Sequence, residues 1–165
     1  MIKNFLLSIF ALPFLIACGF TPMYANKENN NLMADLNQIE ITIIPDRSGQ
    51  FLRNELIDRF YTNGYPAQYQ YVLSVQPIVE RISDFDITVE SEATRQQLKL
   101  STSIMLTDKE TNKRLMQRNL SAITSSNILE SEFSTLITEQ SARDAALNDL
   151  ARQIEQQLAL YFTSL

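Results

Sequence analysis

The sequence predicts an α+β fold: a two-layer sandwich in the order β-α-β-β-β-α, with two helices on one face of a four-stranded sheet. Three observations carry that expectation. Residues 39–43 and 98–106 alternate apolar and polar side chains with period two, as half-buried strands do. Residues 48–63 and 134–162 repeat their apolar side chains at steps of three and four, as amphipathic helices do. Each element therefore has one apolar face, and two layers packed face to face bury them all.

Ile39-Glu40-Ile41-Thr42-Ile43 is the first strand, strictly alternating and ended by Pro45-Asp46. Ser48 and Gly49 open a helix through about Asn63, in which Leu52, Leu56 and Phe60 fall at i, i+4 and i+8. Gly64, followed by Tyr65 and Pro66, is its stop signal. Three strands are expected next. In the first, Tyr69, Tyr71, Leu73 and Val75 share a parity, and Pro77 bulges the strand or places it at an edge. The acidic stretch Asp84 to Glu92 reads as a connection. In the second, Leu98, Leu100, Ile104 and Leu106 share one face, with Lys99, Ser101 and Ser103 on the other. Thr107 to Asn112 is a polar turn of hairpin length. The third strand, Lys113 to about Thr124, alternates poorly, so either a bulge shifts its register or both its faces are exposed. From about Ser134 to Phe162, Leu147, Leu150, Ile154, Leu158 and Tyr161 form one stripe with no Pro or Gly to interrupt it.

The N-terminus has a different character. Met1-Ile2-Lys3-Asn4 supplies a basic start, and Phe5 to Ile16 is an apolar run of 12 residues, shorter than the roughly 20 a spanning helix needs. Leu15-Ile16-Ala17-Cys18 closes it, with the chain's only cysteine directly after a small residue. That arrangement resembles the lipobox of bacterial lipoproteins, in which the cysteine thiol is acylated and becomes the new N-terminus. The alternative is an ordinary signal peptide cut near Ala17, leaving a free thiol. Gly19 stands where an Asp would signal retention at the inner membrane, which favours the outer one. The polar run Asn26-Lys27-Glu28-Asn29-Asn30-Asn31 reads as a tether. The expected organisation is a signal peptide at 1–17, a lipidated N-terminus and tether at 18–37, and one α+β domain at 38–165.

Composition excludes several chemistries. The chain has no histidine and no tryptophan, so the commonest general base and metal ligand are missing. Its three glycines, Gly19, Gly49 and Gly64, cannot form a phosphate-cradling loop. No serine sits in a nucleophile-elbow or Ser-x-x-Lys arrangement. The pairs Asp84/Asp86 and Glu90/Glu92 could act as acid and base or hold a cation weakly, but they fit a solvated hairpin tip better. Neither an enzyme nor a cofactor is expected. The chain from Cys18 carries 13 Lys and Arg against 19 Asp and Glu, a net of −6, which argues against nucleic acid as partner. Within it, Arg95, Lys99, Lys109, Lys113, Arg114 and Arg118 face only Asp108 and Glu110, making that segment +4. Such a segment suits a phosphate- or carboxylate-bearing partner, or is simply the solvated surface of two strands.

Two stretches resemble a known family. Cys18-Gly19-Phe20-Thr21-Pro22-Met23-Tyr24-Ala25 is similar to the start of mature lipopolysaccharide-assembly lipoproteins (the LptE family), particularly shorter alphaproteobacterial-type members, with Cys18, Gly19, Phe20, Pro22, Met23 and Tyr24 in place. Residues 127–154 resemble the family's lead-in and C-terminal helix through Glu139, Gln140, Ala142, Arg143 and Ala145. The resemblance implies a non-catalytic outer-membrane lipoprotein. It would plug and help assemble a large lipopolysaccharide-transport β-barrel (LptD-like), bind lipopolysaccharide, and assist its insertion into the outer leaflet. The family's best-studied members use basic residues near the hairpin after the second strand and just before the last helix. Here those regions read Glu90-Ser91-Glu92 and Glu130-Ser131-Glu132. The replacements implied are Arg95, Lys99, Lys113, Arg114 and Arg118. Competing readings are a periplasm-facing lipoprotein that binds a lipid or peptide with no barrel partner, and a hydrolase, which the missing histidine disfavours.

Overall fold

The computed structural model describes residues 34–62, 64–87, 93–129 and 131–164; the signal sequence, Cys18 and most of the expected tether lie outside them. After a helical turn at residues 34–36, the elements are β1 (Ile39–Ile41), α1 (Asp46–Phe60), β2 (Tyr71–Val75), β3 (Val79–Ile87), β4 (Ala93–Asp108), β5 (Arg114–Asn127) and α2 (Glu132–Thr163). The α+β sandwich is as expected, with five strands in place of four.

The additional strand is β3. Pro77 has no N–H to give a ladder, and it divides what would be one long strand into β2 and β3. Both lie on the same side of β4: Tyr71–Val75 pair antiparallel with Asp108–Ile104, and β3 pairs antiparallel with the first half of β4, Val79 opposite Ser101. The break is closed by β4 itself. Gln76 donates its N–H to the Ser103 carbonyl at 2.9 Å, and the Thr102 hydroxyl donates to the Gln76 carbonyl at 2.7 Å. Asp84, expected in a connection, is therefore in a strand. β1 adds parallel to β2 through the α1 crossover, and β5 runs antiparallel along the other side of β4.

The poor alternation of the third predicted strand has a specific cause. Leu106 pairs with Met116 while Thr107 pairs with Arg114, so Leu115 is an extra residue and the register shifts there. Beyond the bulge, Met116 and Ala122 enter the core opposite Leu106 and Leu100.

Both helices cover the face formed by Ile39, Ile41, Leu73, Val75, Leu98, Leu100, Ile104 and Leu106. Leu52, Leu56 and Phe60 of α1 and Leu147, Leu150, Ile154 and Leu158 of α2, the residues of the two predicted stripes, are all buried in it. Ala146 and Ala151 are fully buried, and their small side chains let α2 lie close to its neighbours. At 32 residues α2 is about 48 Å long, so its first turns outrun the core and leave Phe133, Leu136 and Ile137 exposed. Ser131 caps it by accepting the Ser134 N–H.

The turn from β1 into α1 depends on two backbone positions. Asp46 has φ 67°, a left-handed conformation that Asp tolerates better than most residues. Gly49 packs so closely that a Cβ there would lie 2.7 Å from Ile44 Cγ2. Gly64 has φ +92° and ends the segment after α1, as its stop-signal role requires.

Candidate functional site

The sheet face turned away from the helices is the surface the fold leaves for function. Alternation assigns its residues: with Leu98, Leu100, Ile104 and Leu106 buried, Arg95, Gln97, Lys99, Ser101, Ser103, Met105 and Thr107 project from β4 to the other side. Their cross-strand partners share that side. From β3 these are Val79 opposite Ser101, Arg81 opposite Lys99, and Ser83 opposite Gln97. From β5 they run from Arg114 and Gln117 through Asn119, Ser121, Ile123 and Ser125 to Asn127.

On the β3–β4–β5 part of this face the described charges are of one sign, while Glu40 of β1, opposite Val72, lies on the same face at the β1 edge and pairs with Lys109. Arg81, Arg95, Lys99 and Arg114 lie on that part, and no carboxylate does among the described residues of β3, β4 and β5. Glu80 and Asp84 have the opposite parity and point to the helix side. Arg81 and Lys99 are direct cross-strand partners, an arrangement of like charges that disfavours the strand pair. Neither forms an ion pair or hydrogen bond among the described residues. Arg95, two repeats along β4 from Lys99, donates to the Ser125 hydroxyl at 3.4 Å.

Beside Lys99 the sheet is concave. Pro77, Val79, Lys99, Ser101, Ser103, Asn119 and Ser121 line an open groove of about 490 Å³ beside the Pro77 break between β2 and β3. Val79 is 53% and Ile123 56% exposed, so the groove and its margin offer apolar patches beside the cations and hydroxyls. That combination can hold an amphiphile with anionic and apolar parts.

The basic residues singled out in the sequence do not form one cluster. Arg95 and Lys99 fall on the open face as expected. Lys113 lies in the β4–β5 turn and Arg114 begins β5 opposite Thr107, eight residues along β4 from Lys99 and hence about 26 Å away. Arg114 donates to Gln117 Oε1 at 3.0 Å. Arg118 pairs with buried Ile104, which puts it on the helix-bearing side, where its guanidinium bonds the Gln117 carbonyl at 2.9 Å. Arg81 was missed. Its only sequence signal is the Val79-Arg81-Ser83 alternation inside an otherwise polar stretch, and its partnership with Lys99 needs the register of β3 against β4.

Among the residues matched by the resemblance, Arg143 acquires a structural role. It makes a two-pronged pair with Glu80, at 2.9 Å from Nε and 2.7 Å from Nη2, and donates from Nη1 to Gln140 Oε1 at 3.2 Å. The pair ties α2 to β3, across 63 residues of sequence. Hydrogen bonding from Arg143 holds the Glu80 carboxyl below its ordinary range. Glu132, where a basic residue was sought, sits in the first turn of α2, where the helix dipole favours an acid. Glu90, Glu92 and Glu130 lie outside the described residues.

No described helix is long and apolar enough to cross a membrane, and no three His, Cys, Asp or Glu side chains gather as metal ligands among the described residues.

Comparison with known proteins places this geometry. The family model described as lipopolysaccharide-assembly (LptE) matches residues 36–161. A crystal structure from Caulobacter crescentus CB15, its chain described as a lipoprotein, superposes with a TM-score of 0.65 at 19% identity, covering 82% of this chain and 98% of that one. Rare lipoprotein B of Shewanella oneidensis follows at a TM-score of 0.60 and 9% identity, covering 77% and 96%. A minor lipoprotein of Acinetobacter baumannii has a TM-score of 0.54 at 24% identity, covering 74% and 90%. At such identities these structures speak to the fold. No curated protein matches the chain.

Proposed function

The chain belongs to the lipopolysaccharide-assembly (LptE) family, and on that premise we propose that it is an outer-membrane lipoprotein anchored through Cys18. It occupies the lumen of the lipopolysaccharide-transport β-barrel, helps that barrel assemble, and assists lipopolysaccharide insertion into the outer leaflet. Residues 1–17 direct export, 18–37 carry the lipid and the tether, whose last residues fold onto the domain through buried Leu36, and 38–165 form the working domain. No reaction is catalysed.

The observation that supports lipid contact is the open sheet face, whose described charges on β3, β4 and β5 are all positive, on a protein of net charge −5. Phosphates of the lipid's glucosamine core need fixed cations, and ionised donors make hydrogen bonds about twice as strong as neutral ones. Arg81 and Lys99 supply them as a cross-strand pair, with Arg95 about 13 Å further along β4, while Val79 and Ile123 suit the acyl part. Lys113 and Arg114, about 26 Å away, form a second cationic position and not part of the same cradle. Arg118, on the other face, is assigned no lipid contact.

The test has two independent arms. Lipopolysaccharide binding by the purified protein should weaken, and lose salt dependence, when Lys99 and Arg95 are changed to Glu; unchanged binding at low salt would make this face a solvated strand surface. Affinity purification of the lipidated protein from outer membranes should bring down a large β-barrel, and Cys18→Ala should leave the protein unprocessed or released. Recovery of the protein alone would favour the barrel-free, periplasm-facing reading.

A further inference from the structure

We propose that, in the lipid-anchored protein before it enters the barrel, the end of the domain at which the chain enters, at residue 34, is a bilayer-facing surface that seats its exposed tyrosine among phospholipid headgroups. All five described tyrosines lie at this end. Tyr71 begins β2, opposite Ile39 at the start of β1, and Gln70 and Tyr71 both donate their N–H to the Gln38 carbonyl. Tyr61 packs against Tyr65 at 5.1 Å and Tyr69 at 6.4 Å between centroids. Tyr161 reaches Tyr71 through Phe162, at 5.3 and 5.2 Å. The Lys109 ammonium, from the β4–β5 turn, stands 5.3 Å from the Tyr69 ring centroid.

Burial explains part of this cluster. Tyr61 is 8% exposed and donates to the Ile39 carbonyl at 2.6 Å, so it belongs to the core. Tyr65 is different: 69% exposed, it lies on Tyr61 and contributes little to the interior. A ring with an apolar body and a polar tip, left in water, has the chemistry that concentrates at membrane–water interfaces. The far end of the molecule shows the contrast, since its exposed apolar side chains, Phe133, Leu136 and Ile137, have no polar tips.

The occupant follows from where the chain enters. On the reading that Cys18 carries the anchor, 15 residues lie between it and Ala34, a reach of about 55 Å at full extension and roughly 20–25 Å on average. The tyrosine end is thereby held close to the bilayer. Net charge is not the attraction: Lys109 pairs with Glu40 at 3.4 Å, and Asp108 accepts from Thr111 in the same turn. The contact should therefore persist in salt, unlike that of the cationic sheet face.

The chain has no tryptophan, so tyrosine emission reports this end directly. The chain from Cys18 onward, with Tyr24→Phe, is coupled through its only thiol to maleimide lipid in vesicles of phosphatidylethanolamine and phosphatidylglycerol. Natural acylation is thus not needed, and failure of the anchor reading cannot imitate failure of this one. Adding lipid with a nitroxide near the headgroup should lower tyrosine emission at low and high salt. A tryptophan introduced by Phe133→Trp should keep its emission. Tyr65→Asp, with unchanged circular dichroism, should restore emission from the remaining tyrosines. Tyrosine emission indifferent to the nitroxide, or equal losses at both ends, would overturn the proposal; a protein-binding role for these rings would give the first of these.

Discussion

Changing Arg81 to Glu should move stability and lipid binding in opposite directions. Arg81 and Lys99 are direct cross-strand partners on an open face, both exposed and neither ion-paired among the described residues. Like charges so placed disfavour the strand pair, and an opposite-charge pair favours it by about 0.2–1 kcal/mol. Exposure and salt screening keep the benefit near the lower part of the range for surface pairs, so the net gain should be about 0.5–1 kcal/mol. For a domain of this size that raises the melting temperature by a few degrees. Binding should change the other way. Losing one hydrogen bond from a charged donor costs about 1.5–3 kcal/mol, which is roughly 10- to 150-fold in affinity for a phosphorylated lipid. Thermal unfolding and lipopolysaccharide titration on the same preparation read both quantities. If the variant melts lower than the parent, the cross-strand register or the face assignment is wrong. If it is stabilised but binds equally well, Arg81 does not touch the lipid.

Gly49→Ala should destabilise by about 1–3 kcal/mol in urea unfolding, because the new Cβ would stand 2.9 Å from the Ile44 backbone carbon, a clash that outweighs the ~1 kcal/mol helix propensity gain; a more stable variant would contradict the packing. Leu150→Ala should cost about 2–5 kcal/mol, as truncation of a fully buried leucine does, while Lys109→Ala changes little; equal melting temperatures would refute the core assignment. The Glu80 carboxyl is held low by Arg143, so its contribution is complete above the unfolded-state value near 4.5 and is lost as pH falls through the lower folded one. Arg143→Gln should flatten that acid limb of the stability curve, and an unchanged limb would show that the pair is not formed. At the alkaline end, burial first and the neighbouring Tyr69 second push the Tyr61 phenol up to about 12. Its contribution is complete below pH 10 and is lost as pH rises toward 12, which spectrophotometric titration of Tyr61→Phe against the parent should locate.

Much of the fold was legible in the sequence because burial leaves a local signature. The stripe of Leu147, Leu150, Ile154 and Leu158 needs only helical periodicity to be seen, and the alternation from Leu98 to Leu106 needs only the pleat. Both sets are buried where the patterns put them. The turn after β4 was equally visible, since Asn112, with φ 55°, tolerates the left-handed conformation it must adopt. The anchor motif at Cys18 and the excess of cations between Arg95 and Arg118 were also sequence properties, needing no partner elsewhere in the chain.

What only the tertiary structure decided depends on partners far away in sequence. β3 is exposed on both faces at its described side chains and carries Glu80, Arg81 and Asp84, so no periodicity marks it; it is a strand because β4 offers it a ladder. That pairing, and not composition, sets Arg81 opposite Lys99 and leaves the described charges of β3, β4 and β5 on the open face all positive. The Leu115 bulge and the strand rise divide the basic segment, leaving Lys113 and Arg114 about 26 Å from Lys99, and the alternation after the bulge turns Arg118 to the other side. Arg143 and Glu80 meet across 63 residues for the same reason. A side chain's burial is written in its near neighbours, but register is a relation between strands, and a shift of one residue would exchange every face.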